Sequence, residues 1–586
     1  MVRPRQKLVA TITVFATLTL LLLAYREDLR EVPDRWHAPF LNPEPASSLR
    51  SPLDIFNTEP GLPSGPHPID DLVSEENSDF EGLLNKQTYN VSASAAAYRE
   101  RRGRHPPPGF DRWMEFAVAH DCVVIEEFFD QVYRDIEPFW GLPASEIRDQ
   151  AATLPNTISV RNGKVTKSTD EWRFVDAYFD MLKEIEDRLP DVDIPINEMD
   201  ESRVLVPWED INELISCSEK TKDLSKLPSV TAFSNLNDPS ETLNSQEWLH
   251  EGPYWNIARN GCHSDSPGRS ADIDTDFSTP PQANITINHY EAPANVQWAK
   301  LPFNNDILLP GAVYWRDEKR FSINSGRIPW AQKRSEVLWR GSASGGRNTE
   351  INWTRFQRHR LLSMLNGTQV QMALEAEHAA IHGEHDALLT SPRPSIPHNF
   401  PLPDRDLYPL QSLAQGLLPD WLRTLSNAAF TWLVCFPPTK KYECSYTGPW
   451  YRRGAEMPLH RMFHAKYLPD VDGNSFSGRY RAFLQSNSLP IKATIYSEWH
   501  DDRLFAWRHF VPMDNTFVDL WALLEYLVSH DAVAEGIALE GRKWAERVLR
   551  KEDMLVYVYR LVLEYARVSS DAREDMGWLE ERKRVS

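Results

Sequence analysis

The sequence predicts an α/β protein built from two doubly wound domains facing a cleft. Three observations carry this reading. Apolar, strand-like runs enter polar or glycine-rich turns at three places, near Asp193–Asp200, Glu336–Gly346 and Ala465–Arg479. Strand-like and helix-like segments alternate through the chain beyond residue 100. The chain has 586 residues, more than one compact core accommodates. With 41% apolar and 25% charged residues the composition is that of a globular protein, not a disordered one. A formal net charge of -20 argues against a nucleic-acid partner, which needs a basic footprint.

In chain order, residues 1–7 read as a cytoplasmic tail and residues 8–25 as a transmembrane signal anchor. Leu8 to Tyr25 is uncharged, mainly aliphatic and just long enough to cross a bilayer as a helix. Arg3, Arg5 and Lys7 precede it, so the positive-inside rule sends the remainder to the lumen. A cleaved signal peptide is the rival, but no small-x-small cleavage site follows Leu21, Leu22 and Leu23. Residues 26–97, rich in Pro, Ser, Asn and acidic side chains, read as a flexible luminal stem.

An amphipathic helix is predicted around Trp113 to Ala119. Residues 98–325 form the expected N-terminal Rossmann-like domain and residues 326–545 the expected C-terminal one. Leu555, Val558, Tyr559, Val562, Leu563 and Ala566 recur at helical spacing, so 546–570 is predicted as an amphipathic helix packing back, before a tail at 571–586. Four glycosylation triplets, at Asn90, Asn284, Asn352 and Asn366, are compatible with a lumen. Five cysteines form no CxxC pair; Cys435 and Cys444 bracket a Pro-Pro loop and are placed to close a small disulfide.

Two turns suit an anionic leaving group. Gly341–Gly346 and Gly473–Gly478 offer backbone N–H donors, and Arg347 and Arg479 follow them with guanidiniums that grip phosphate oxygens bidentately. One such turn is ordinary loop chemistry; two ending in arginine are more specific. Asp200, at an apparent strand end in the other half, is the candidate general base, although position alone favours a turn or capping aspartate. Asp470-Val471-Asp472 resembles a metal-binding DxD but reads better as a strand-end turn. Asp272, Asp274 and Asp276 lack the glycine and closing glutamate of a calcium loop. His378, His382 and His385 form no HExxH and read as a solvated helix end.

These segments resemble glycosyltransferase family 90, the capsule-associated and protein O-glucosyltransferase family. The likeness starts at Arg102–Arg104, Pro107–Asp111 and Pro138–Leu142 and continues through Leu189–Asp200 and Trp339–Ser342. It is greatest at Lys466–Leu468, Asp472–Arg479, Glu498–His500, Asp553–Met554 and Glu564–Arg567. The wording is most like a fungal branch that includes β-1,2-xylosyltransferases acting on mannose-containing polysaccharides. The resemblance implies a GT-B fold and an inverting reaction that does not depend on a DxD-bound metal. It implies Asp200 as catalytic base, reversing the odds from position. It further implies UDP-sugar contacts at Ser342, Arg347, Asn474, Ser475, Phe476, Ser477, Gly478 and Arg479, with Glu498 as a ribose or sugar contact.

The expected donor is UDP-xylose or UDP-glucose and the acceptor a glycan hydroxyl. The turn after Ser342 departs from the protein O-glucosyltransferase version, so a protein acceptor is not implied. The chain ends Arg582–Ser586 without a KDEL-type signal, so the anchor is expected to hold it in the Golgi membrane rather than the endoplasmic reticulum. A catalytically silent sugar-binding protein of the same fold is the main rival. A glycoside hydrolase would want a second flanking carboxylate.

Overall fold

The computed structural model describes residues 67–580, apart from interruptions that include Glu198, Asp200, Arg347, most of 237–295 and 383–398. The anchor at 8–25 and the first part of the stem lie outside the described residues. Among those described, no helix is long and apolar enough to cross a membrane.

The second part of the predicted stem is not a linker. Helix α1 (Pro68–Leu84) begins with proline at its first turn and two acidic residues, Asp70 and Asp71, facing the positive end of its dipole. His67 caps it: its Nδ1 accepts from the Ile69 N–H (3.2 Å), and Asp70 accepts from the His67 N–H (3.0 Å). Phe80, 3% exposed, anchors the helix edge-on against Phe505, His509 and Trp544. A single aromatic among polar residues gives little periodic signal, which is why the segment reads as a stem. Helix α2 (Val91–Arg102) follows, capped by Asn90 Oδ1 on the Ala93 N–H (2.9 Å) and ended by Gly103 at φ 65°.

Helices α3 (Phe110–Ala119) and α4 (Asp130–Ile136) precede a three-stranded sheet of β1 (Thr157–Arg161), β2 (Lys164–Lys167) and β3 (Val192–Pro195), in the order β2-β1-β3. Both pairings are antiparallel. The expected doubly wound N-terminal domain is therefore absent among the described residues. The cause is local: Asn162 and Gly163 both take positive φ, 49° and 70°, and turn β1 directly into β2. Helix α5 (Arg173–Lys183) lies between β2 and β3. Short strands β4 (Val296–Gln297) and β5 (Ile307–Leu308) form a parallel pair.

The second half is doubly wound. It contains β6 (Arg334–Ser342), helix α6 (Gln357–Met364), β7 (Ser426–Trp432), β8 (Ala465–Val471), helix α7 (Tyr480–Gln485), β9 (Leu489–Ala493) and β10 (Val511–Pro512). The strands form one sheet in the order β10-β9-β8-β6-β7, all parallel. Every residue of β8 and β9 is buried, as a parallel sheet covered on both faces requires. The order reverses between β6 and β8, which makes the gap beyond their carboxyl ends the place where such sheets hold ligands.

Helices α8 (Leu520–Ser529), α9 (Asp531–Val548) and α10 (Lys551–Val568) close the chain. α10 returns to the N-terminal half, where Trp113 donates to the Val556 carbonyl (2.9 Å). It is not amphipathic, because every residue from Asp553 to Val568 is buried. Its charged members are buried with partners: Arg560 meets Glu126 at 3.3 Å, and Glu564 meets Arg567 at 3.1 Å. One apolar core joins Phe80, α3, α5 and α10, so the described residues belong to a single compact unit. Cys435 and Cys444 form a disulfide with a Cα separation of 5.9 Å.

Candidate active site

A cavity of about 400 Å³ opens at the β6/β8 reversal. One wall is Arg340, Gly341, Ser342 and Ser344 from the end of β6; another is the whole turn from Gly473 to Arg479 after β8. Trp298, Val313 and Phe321 supply an apolar face from the other half of the molecule. The size suits a nucleotide-scale ligand.

The cationic floor is built by α6 as much as by the turns. Arg358, 7% exposed, donates Nε to the Asp472 carbonyl (2.8 Å) and Nη1 to the Ser342 carbonyl (3.0 Å) and Ser344 Oγ (2.7 Å). One guanidinium thus ties the end of β6 to the end of β8. Gly473 permits this approach, since a Cβ there would sit 3.1 Å from Arg358 Nη2. Asn474 makes a second tie, its Oδ1 accepting from the Gly345 N–H (3.1 Å).

Arg479 lies beside Arg358. Its Nη1 donates to the Arg340 carbonyl (2.6 Å), while Nη2 is buried without a described hydrogen-bond partner. Trp339 lies beneath both guanidiniums, with ring centroids 5.7 Å and 5.3 Å away. Neither arginine has a salt bridge among the described residues. Burial pushes Arg358 down to about 9, and the Arg479 charge adds to it while Asp472 and Asp470 oppose. Burial likewise lowers Arg479, with Asp470 opposing. Two buried cations without a contacting carboxylate make the site electrostatically incomplete, and an anion would complete it.

The turn adds neutral donors. Within the described residues, no backbone N–H from Asn474 to Arg479 donates to another protein group. Phe476 meets Tyr314 at a tilted edge contact of 5.7 Å, and Ser477 Oγ donates to Asp470. The two DxD-like carboxylates are spent on this scaffold. Asp472 accepts from Thr494 Oγ1 (2.7 Å) and the Ile495 N–H (2.8 Å), and burial pushes it up to about 7.

Of the sequence-predicted contacts, Ser342 and Asn474 through Arg479 come together on the cavity wall. Asp200 and Arg347 lie outside the described residues. Glu498 differs from the expectation of a sugar contact, being 1% exposed and off the cavity wall. It pairs with Lys492 (3.3 Å) and His500 (3.2 Å) and accepts from the Tyr314 hydroxyl (3.2 Å). Burial raises its pKa, but the His500 and Lys492 charges outweigh this and hold the carboxyl below the ordinary glutamate range. Arg358 was not foreseen. Its place sixteen positions beyond Ser342, across an irregular loop, carries no local motif.

His378 and His382 are not among the residues that line the cavity. His378 and His382 stack at 4.1 Å at the end of the helix Gly367–His382, and His385 and Asp272–Asp276 lie outside the described residues.

Known proteins match part of this chain. Protein O-glucosyltransferase 3 of Homo sapiens is 30% identical over 113 residues, 19% of this chain and 22% of that protein. Protein O-glucosyltransferase 2 of Danio rerio is 30% identical over 105 residues, 18% of this chain and 21% of that protein. Protein O-glucosyltransferase 1 of Rattus norvegicus is 26% identical over 121 residues, 20% of this chain and 30% of that protein. The chain thus spans less than a third of the length of these curated relatives. A family model described as Glycosyl transferase family 90 matches residues 445–575, which include β8, the Gly473–Arg479 turn and the helices that close the sheet. Residues 445–575 are thus similar to glycosyl transferase family 90.

Proposed function

We propose that this protein is an inverting glycosyltransferase that moves a sugar from a UDP-sugar to an acceptor hydroxyl. The observation that carries the reading is the pair of buried guanidiniums, Arg358 and Arg479, at the reversal of a parallel sheet, with no carboxylate in contact with either among the described residues. A departing diphosphate supplies the missing negative charge, and fixed donors in a water-poor cleft stabilise it most as the bond to the sugar breaks. Ser342, Ser344 and the amides of Asn474–Arg479 add hydrogen bonds, with Arg347 as a further cation.

The reaction is one displacement. Asp200 accepts the proton of the acceptor hydroxyl, whose oxygen forms a bond to the anomeric carbon from the face opposite UDP. The anomeric C–O bond breaks, and its electron pair leaves on the diphosphate. Glu498 serves this arrangement by holding Tyr314 beside the turn, not by touching the sugar.

The motif wording favours xylose transferred to a mannose-containing glycan. The names of the relatives favour a second reading, glucose transferred to a protein. Residues 8–25 would anchor the enzyme in the Golgi membrane with this domain in the lumen, where the Cys435–Cys444 disulfide is stable.

The test uses the purified full-length protein. UDP release is measured with UDP-xylose and UDP-glucose, each with mannosides or a folded protein domain as acceptor. Asp200→Asn is expected to retain UDP binding and to lose transfer by about 10³-fold or more. Unchanged turnover in that variant removes Asp200 from the base role. Absence of UDP release with every donor favours the silent sugar-binding rival.

A further inference from the structure

We infer that Gln297 is a positioning residue that sets the backbone around position 200, an inference that rests on the base role proposed for Asp200. Gln297 lies on β4 and is fully buried. Its Nε2 donates to the Met199 carbonyl (3.0 Å) and to the Glu201 carbonyl (2.9 Å), one residue on each side of position 200. Its Oε1 accepts from the Trp298 N–H (2.8 Å), so the whole amide is engaged. Trp298 is itself part of the cavity wall. One side chain therefore ties the carbonyls of Met199 and Glu201, the neighbours of position 200, to the strand end that carries Trp298.

The described residues on either side of position 200 are tied down in the same way. Asn197 closes the loop locally, accepting from the Met199 N–H (3.0 Å) and donating to the Glu201 carbonyl (2.8 Å). Beyond position 201, Asn304 accepts from Ser202 (3.1 Å), and the buried Asp306 carboxylate accepts from the N–H groups of Arg203 (3.1 Å) and Val204 (2.9 Å). These side chains reach across some hundred residues of sequence to a segment that has no regular secondary structure of its own. Buried polar groups of this density are worth keeping only if the backbone they fix must be placed accurately. The donor cradle belongs to the other half of the molecule, so loss of Gln297 should disturb proton removal and leave UDP binding intact. A displacement of about 1 Å at a reacting group costs on the order of 10²-fold in rate.

The experiment is a double-mutant cycle on the full-length protein. Gln297→Met removes both donors at similar volume, and Gln297→Glu removes them while keeping the acceptor for Trp298. Both are expected to lower kcat by about 10–100-fold, with donor KM and the Kd for UDP changed by less than about twofold. In an Asp200→Asn background neither should lower the residual rate further, because the group they position is already gone. A fall in UDP affinity parallel to kcat, or a multiplicative loss on top of Asp200→Asn, overturns the inference and leaves the base assignment standing. Full turnover in Asp200→Asn alone overturns the base assignment and the inference with it. If Gln297→Met does not fold, Gln297→Glu with UDP calorimetry as the folding control decides the same question.

Discussion

Arg358 holds carbonyl and hydroxyl partners on four residues from two strand ends with one planar group, a geometry lysine cannot reproduce. Arg358→Lys is therefore expected to weaken UDP binding by about 10–100-fold, measured by calorimetry, although the charge is retained. Arg479→Ala should weaken it at least as much while disturbing the fold less, because only one of its described hydrogen bonds is short, to the Arg340 carbonyl (2.6 Å). An Arg358→Lys variant with unchanged affinity would show that the charge alone matters. Residue identities were partly legible from sequence. Ser342 and Asn474–Arg479 sit within short glycine-bearing turns that follow apolar runs, so order along the chain is enough to find them. Arg358 is placed by the approach of α6 to two strands, and sequence spacing does not encode that approach. Glu498 follows the end of β9, and the pairing of its carboxylate with the buried Lys492 on that strand is a contact that order along the chain does not show.

At the scale of elements, α10 shows how a buried helix conceals itself. Its apolar positions recur at helical spacing, but so do Arg560, Glu564 and Arg567, and charged residues at such spacing read as a solvated face. Here they meet Glu126, Tyr98, Tyr133 and His105 from the N-terminal half. Arg560 is packed among the rings of Tyr98, Phe110 and Trp113, each about 4.5 Å from its guanidinium carbon. Arg560→Ala leaves Glu126 with Arg102 alone and Glu564 with Arg567 alone, and empties the space between three rings, which should cost about 3 kcal/mol, the low end for a broken buried pair. Thermal or urea unfolding reads this directly, and a loss below about 1 kcal/mol would mean that water replaces the guanidinium. The parallel sheet was legible because its strands are short apolar runs broken by turns. The antiparallel β1–β3 sheet was not, although Asn162-Gly163 is a hairpin signal. The stem was misread from Pro68 onward because α1 contributes little more than Ile69 and Phe80 to the core.

At the scale of the whole molecule, acid stability is set by histidines that the core keeps neutral. His359 is enclosed by Phe430 and Tyr451, and burial, with the nearby Arg358 charge, pushes it down to about 3. His509 lies between Phe80 of α1 and Trp544 of α9 and accepts from the Phe505 N–H (3.0 Å); burial and Arg508 push it to about 3 as well. Above the ordinary histidine value near 6.5 both are neutral in folded and unfolded chains and neither affects stability. Below it the unfolded chain takes up protons that the folded chain refuses, so each site removes about 1.4 kcal/mol per pH unit until its folded value is reached. His500 acts in the opposite sense. Burial lowers its pKa, but the Glu498 charge more than reverses this, so its contribution is full below about 6.5 and fades as pH rises through the raised value. The windows do not overlap: His500 adds no slope below about 6.5, where His359 and His509 act, but the buried carboxylates titrate there too, so the wild-type slope alone does not identify the histidines. The decisive comparison is His509→Gln against wild type, unfolded in urea at pH 6.0, 5.25 and 4.5. The variant should be less stable near neutrality, yet its stability should fall with acid more gently, by about 1.4 kcal/mol per pH unit. His359→Gln should flatten the curve by the same amount, and the double variant by the sum, because the two rings belong to separate packing clusters. Parallel pH profiles in variant and wild type would mean that these histidines protonate inside the folded protein, and that the strap formed by α1 opens to admit the charge.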